Sequence, residues 1–100
     1  MTTTIQETEE RFVATLAGEL DTAAAKDTEE ALAPLFDSKG KDILIDCTDL
    51  EYISSSGLRI LLRILKQAQS AGSRVVLKNV NEVIRDVLDL TGFKSIFGFE

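Results

Sequence analysis

The chain has no histidine at all, and that absence removes a large share of known chemistry. Ser-His and Cys-His nucleophilic pairs need an imidazole base, and His-bearing metal sites need an imidazole ligand. There is one cysteine, Cys47, so no disulfide can close within the chain, which fits a reducing compartment such as the cytoplasm. Cys47 lies in the apolar run "ILIDC", where a small buried hydrophobe is expected and a reactive thiol is the alternative. The one proline, Pro34, falls in a helical-looking stretch and predicts a helix end or kink. Basic residues are scattered rather than clustered and the net charge is −6, which argues against direct nucleic-acid binding and favours a partner with a basic patch. No apolar run approaches the ~18 residues of a membrane span. The N-terminal "MTTTIQETEE" is too polar and acidic for a signal peptide. Phosphate-loop and dinucleotide-loop glycine patterns are missing. The stretch before Gly57 is not G-x-S-x-G, because residue 53 is Ile. "DCTD" at 46–49 holds two carboxylates, read as one strand-end and one turn residue rather than as a metal or acid-base pair. These absences together predict a binding protein, not an enzyme, with no cofactor and no metal.

What is present is an ordinary soluble composition: 100 residues, 44% hydrophobic and 28% charged, enough for one domain over residues 1–100 with one core. Ile5 sits in a short strand candidate, and "ETEER" reads as a turn. "RFVATLAGEL" alternates, with Phe12, Ala14 and Leu16 on one side and Thr15 and Glu19 on the other, which predicts a half-buried strand. A helix follows, capped by Asp21 or Thr22, with Ala24, Thr28, Ala31, Leu32 and Leu35 on its inner face. "DILIDC" is almost continuously apolar, which predicts a parallel strand covered on both faces, and "TDLEYISSSG" reads as the loop after it. Leu58, Leu61, Leu62, Leu65 and Ala68 mark a second helix that ends near Gly72. "RVVLKN" is another strand. Val80, Val83, Ile84, Val87 and Leu88 mark a third helix stopped by Gly92, and "KSIFGF" is a candidate edge strand. The order β-β-α-β-α-β-α, with a final β where "KSIFGF" pairs, predicts an α/β fold with a mixed four- or five-stranded sheet. Its first pair is antiparallel, the rest mainly parallel, and three main helices pack on it.

In such a sheet, sites lie beyond the carboxyl ends of the parallel strands. Two segments leave those ends, "AGELD" (17–21) and "YISSSG" (52–57). If their strands are neighbours, Asp21 and the serine cluster share one rim. Ser55 or Ser56 is the expected N-cap of the second helix. A helix N-terminus tolerates an anion, and a phosphate there would add roughly −1.5 to −2 charges without touching the core. The plainer reading is that Ser caps and Gly relaxes a tight turn, and local pattern alone does not separate the two.

Three segments, in order, resemble the STAS domain family in its bacterial anti-sigma factor antagonist form: "AGELD", "DILIDCTDLEYISSSGLRILL" and "KNVNEVIRDVLDLTGF". The resemblance implies a phosphorylation-controlled module, with Ser55 on the acceptor position and Ser54 and Ser56 as alternative acceptors. Asp21, Ser54, Ser56, Gly57 and Leu58 form the surrounding partner-binding rim. It implies an anti-sigma factor with an ATPase-like serine-kinase fold as partner, which binds the unphosphorylated chain and releases the phosphorylated one, and a serine phosphatase that resets the switch. Ser54 departs from the pattern, which has Asp there. An unswitched scaffold subunit of a sensory or ABC-type lipid-trafficking assembly is the alternative that this departure leaves open.

Overall fold

The computed structural model describes residues 1–92 and 97–100. Five strands form one sheet in sequential order: β1 (Thr2–Glu7), β2 (Arg11–Leu20), β3 (Asp42–Ile53), β4 (Val75–Lys78) and β5 (Gly98–Phe99). β1 pairs with β2 antiparallel, and β2, β3, β4 and β5 are parallel neighbours. The helices are α1 (Thr22–Ala31), α2 (Ser55–Ser70) and α3 (Glu82–Leu90). The five-stranded form of the expected sheet is therefore the one adopted. Of the candidate edge strand, residues 94–96 lie outside the described residues, and β5 supplies the pairing at Gly98 and Phe99.

Parallel neighbours that advance in one direction by right-handed crossovers place their connecting helices on one side of a sheet. The packing follows that rule. Phe12, Ala14, Leu16, Ile43, Ile45, Cys47, Val75 and Leu77 join the core with Leu61, Ile64, Leu65, Ile84 and Leu88 from the helices. Leu44 lies outside that cluster, flanked in register by Val13 and Val76. The apolar run at 43–45 is thus not a strand covered by helices on both faces. Leu44 is shielded by an apolar cross-strand stripe instead.

Residues 48–53 of the segment read as a loop are strand, and the reason is visible in the register. Thr15 faces Asp46 but Ala17 faces Asp49, and Gly18 faces Leu50 but Glu19 faces Tyr52. β3 carries one extra residue at each shift, and a bulge of that kind breaks the two-residue side-chain alternation. The β3 residues that join the core accordingly run 43, 45, 47, then 50 and 53. Gly18 adopts φ +101 at the second shift, a conformation that favours glycine. Asp46 Oδ1 closes the first bulge by accepting from the Thr48 backbone N–H (3.0 Å) and the Thr48 hydroxyl. The hydroxyl bond, with the backbone bond behind it, holds the Asp46 carboxyl below its ordinary value. Both carboxylates of "DCTD" are strand residues, 46 beside the first bulge and 49 after it.

Three smaller expectations are corrected. Ala31 is exposed rather than on the inner face, because α1 ends there, as Pro34 leads one to expect, and a 3-10 turn over Ala33–Asp37 takes over and carries Leu35 inside. Val83 is 57% exposed, because α3 begins at Glu82 after the Asn81 cap and turns that position outward. Since α1 and the 3-10 turn pack on its flank, the second helix buries Ile60 and Ile64 as well as Leu58, Leu61, Leu65 and Ala68, while Leu62 is only half-buried.

Cys47 is buried, its Sγ donates to Ile45 O at 3.6 Å, and burial with the nearby Asp46 charge pushes the thiol up to about 12. At pH 8 only about one thiol in ten thousand is then ionised. Labelling by a thiol-specific disulfide reagent should be slower than in the urea-unfolded chain by a factor of about 1,000 or more. Rapid labelling of the folded chain would contradict the burial.

Candidate functional site

The rim at the carboxyl ends of β2 and β3 is built by two helix starts set side by side. Leu20 and Ile53 are register partners at the last position of each strand, and the Ser54 backbone N–H donates to Leu20 O at 2.8 Å. One residue later on each side stands a cap. Asp21 Oδ1 accepts from the Ala24 N–H at 2.8 Å and starts α1. Ser54 Oγ accepts from the Gly57 N–H at 3.1 Å and starts α2. Asp21 and the serine cluster are therefore tied together across one backbone hydrogen bond. The end of the sheet presents two helix N-termini, each of which favours negative charge.

The cap is Ser54, one or two residues earlier than the expected Ser55 or Ser56. With β3 extended to Ile53, Ser54 is the one residue left between strand and helix, and its extended backbone (φ −84, ψ 170) is that of a cap. The three hydroxyls then have distinct places. Ser54 is 7% exposed and its oxygen is used in the cap. Ser55 is the first helical residue and is exposed, while Ser56 is half-buried on the side facing α1. The Ser54 hydroxyl thus does the capping work that an Asp would also do, without adding a charge. Ser54→Ala should cost about 0.5–2 kcal/mol in urea-melt stability, whereas Ser54→Asp, an equally good cap, should stay much closer to wild type. Equal losses from both would show that the cap contributes nothing.

Gly57 is no turn residue. It lies inside the first turn of α2, and a Cβ there would meet Leu20 Cγ at 2.6 Å, Leu20 Cδ2 at 2.9 Å and Ile53 Cγ1 at 3.1 Å. Its lack of a side chain lets the helix start press onto the ends of β2 and β3. Leu58 is 4% exposed and belongs to the core. Of the sequence-derived rim, Asp21, Ser55 and Ser56 offer side-chain surface, while Ser54, Gly57 and Leu58 hold them in place.

Two features of this end escaped the sequence reading. Asn81 joins α3 to the β3 extension: its Nδ2 donates to Leu50 O at 2.9 Å and its Oδ1 caps the Ile84 N–H at 2.9 Å. The sequence signal was an Asn three residues before a buried Ile at the head of a helical stripe. Tyr52, at the penultimate position of β3, is 45% exposed and carries apolar surface to the same rim. Only its place beside a bulge, which pattern does not reveal, turns it outward. Among the described residues no group of His, Cys, Asp and Glu is arranged to hold a metal ion, and no helix is long and apolar enough to cross a membrane.

A one-sided mixed sheet with a bulged central strand pair, and a hydroxyl-rich helix start at its rim, defines a class of small α/β domains. The chain belongs to the STAS domain family, whose family model matches residues 2–100. It is 33% identical over 97 residues to BtrV of Bordetella bronchiseptica, covering 97% of this chain and 84% of that protein. It is 30% identical over 92 residues to the anti-sigma-B factor antagonist of Bacillus subtilis, covering 92% of this chain and 84% of that one. The anti-sigma factor antagonist SpoIIAA shares the fold in two solved forms. The unphosphorylated one has a TM-score of 0.82 at 22% identity, over 99% of this chain and 88% of that chain. The phosphorylated one has 0.75 at 21%, over 99% and 91%.

Proposed function

We propose that this chain is an anti-sigma factor antagonist whose binding is switched by phosphorylation of Ser55. The observation that carries the reading is the placement of that hydroxyl: exposed at the first helical position, on the rim it shares with Asp21, one residue beyond a cap already made by Ser54. Phosphorylating Ser54 would break the cap and need a near-buried oxygen to reach a kinase. Ser56 faces the neighbouring helix. Ser55 alone combines access with independence from the fold. A dianion on it sits at the helix N-terminus, where the dipole favours it by about 0.3–1 kcal/mol. The core therefore has no reason to change, while a partner packed against the rim meets a new charge.

The relatives support the antagonist role. One is the Bacillus subtilis anti-sigma-B factor antagonist, and SpoIIAA is known both with and without phosphate. On this reading the partner is an anti-sigma factor that doubles as the serine kinase, a phosphatase restores the unmodified chain, and the circuit operates in the cytoplasm. Ser54 does not argue for an unswitched scaffold, because it preserves the cap that the family Asp would make. The test is to incubate the protein with ATP and the anti-sigma factor of its own genome and to map phosphate by fragment mass spectrometry. One phosphate on Ser55 is expected. No phosphate on Ser54, Ser55 or Ser56 would remove the switch.

A further inference from the structure

The rim has a basic neighbour in an otherwise acidic molecule. Between α1 and α2 lies a cleft of about 260 Å³, lined by Ala25, Lys26, Glu29, Ser56, Arg59 and Arg63 among others. Its cations are not equivalent. Arg63 is engaged, paired with Glu29 and stacked over the Phe36 ring at 5.2 Å. Lys26 and Arg59 are exposed and have neither an ion pair nor a side-chain hydrogen bond among the described residues. On α2, Arg59 is four residues beyond Ser55 and three beyond Ser56. At 3.6 residues per turn it stands about 40° around the helix from Ser55 and about 60° from Ser56. Helical side chains lean toward the N-terminus, so a guanidinium at 59 covers the turn that carries both serines. Lys26 reaches the same cleft from α1.

We infer that Arg59, with Lys26 opposite it, is a built-in receiver for the phosphoryl group, so that the phosphorylated chain holds its new charge along the first turn of α2 instead of leaving it free in solvent. The inference rests on the proposed modification of Ser55 and adds what becomes of the phosphate. Guanidinium and phosphate form charge-assisted paired hydrogen bonds, with Arg better matched than Lys. The acids that face the group are Asp21, already accepting from Ala24, and Glu29, already paired with Arg63. Neither blocks Arg59. The clamp gives the phosphorylated surface a fixed shape, and it withdraws two cations from any partner that used them.

The test needs no kinase. Phosphoserine is placed at position 55 by genetic encoding, and the second phosphate ionisation is followed by phosphorus NMR between pH 4 and 8. Free phosphoserine ionises near ~6. The clamp predicts a value lower by about half a unit or more, about threefold in proton affinity. Arg59→Gln should bring it most of the way back, Lys26→Gln part of the way, and Arg59→Lys should keep part of the shift. Lys66→Gln, an exposed cation two turns further along α2, is the control and should change nothing. If Arg59→Gln and Lys66→Gln titrate alike, the clamp is wrong, whatever the kinase experiment shows. Conversely, a clamp found in the encoded protein together with no phosphate from the kinase would separate this inference from the proposed function.

Discussion

Ser55→Asp should weaken binding to the anti-sigma factor by about 10- to 100-fold, while Ser55→Ala should bind within about twofold of the unmodified chain. The effect is electrostatic and local. Residue 55 is exposed and, among the described residues, makes no side-chain hydrogen bond that Ala would lose, so the alanine variant changes neither cap nor core. Aspartate adds one charge where the partner must exclude water, and a mismatched charge at an interface costs several kcal/mol when desolvated, with 1.4 kcal/mol for each tenfold. One charge should do less than the nearly two of a phosphate, which sets aspartate below the proposed switch. Thermal melts of both variants should match wild type within about 2 °C, which excludes unfolding as the cause. Equal affinities for Ser55→Ala and Ser55→Asp would place this helix start outside the interface.

The largest stability effect near the site is expected from Gly57→Ala. In an exposed helix this change would stabilise by roughly 0.5–1 kcal/mol, because glycine is the poorer helix former. Here the added carbon meets Leu20 Cγ at 2.6 Å, and Leu20 is fully buried at the end of β2 with nowhere to move. Overpacking of a filled core costs about 1–3 kcal/mol, so the steric penalty outweighs the propensity gain. In a domain of this size each kcal/mol lowers the midpoint by about 4–8 °C. The mechanism has its own signature. Leu20→Ala alone should cost about 2–5 kcal/mol, but Gly57→Ala with Leu20→Ala should cost less than the two losses added, since each relieves the other. Strict additivity would mean that the two residues do not press on one another. The same variant tests the link to function, because a helix start pushed off Leu20 and Ile53 carries Ser55 away from Asp21.

Why some of this could be read from the sequence and some could not is physical. The α2 stripe and the alternation of Phe12, Ala14 and Leu16 are periodic burial signals, and they marked those elements directly. The bulges erased the same signal further along. Buried Cys47, Leu50 and Ile53 are three apart, which breaks the two-residue alternation of a strand, so the top of β3 reads as loop and the expected cap falls one or two residues late. The neighbouring placement of Asp21 and the serines followed from topology alone, because consecutive parallel strands put their carboxyl ends on one rim. Which hydroxyl is capped and which is free was not legible, since three adjacent serines are alike until the strand end is fixed. Gly57 was legible as important but not for its reason. Glycine for a close approach and glycine for a turn look the same in a sequence, and only the distance to Leu20 separates them. The open cations of the α1–α2 cleft were invisible for a related reason: Arg63 and Arg59 are one turn apart, and which of them Glu29 takes is decided by helix packing.

The central claim is that charge at residue 55 is sensed by a protein partner and not by the fold. The measurement that meets it most directly is a calorimetric titration of the anti-sigma factor with the chain carrying phosphate on Ser55 and with the unmodified chain, alongside thermal melts of the same two samples. A loss of affinity of about 100-fold or more is expected with phosphate, and the melting midpoints should agree within a few degrees. Equal affinities, or a loss of binding accompanied by a collapse of the melting transition, would contradict it.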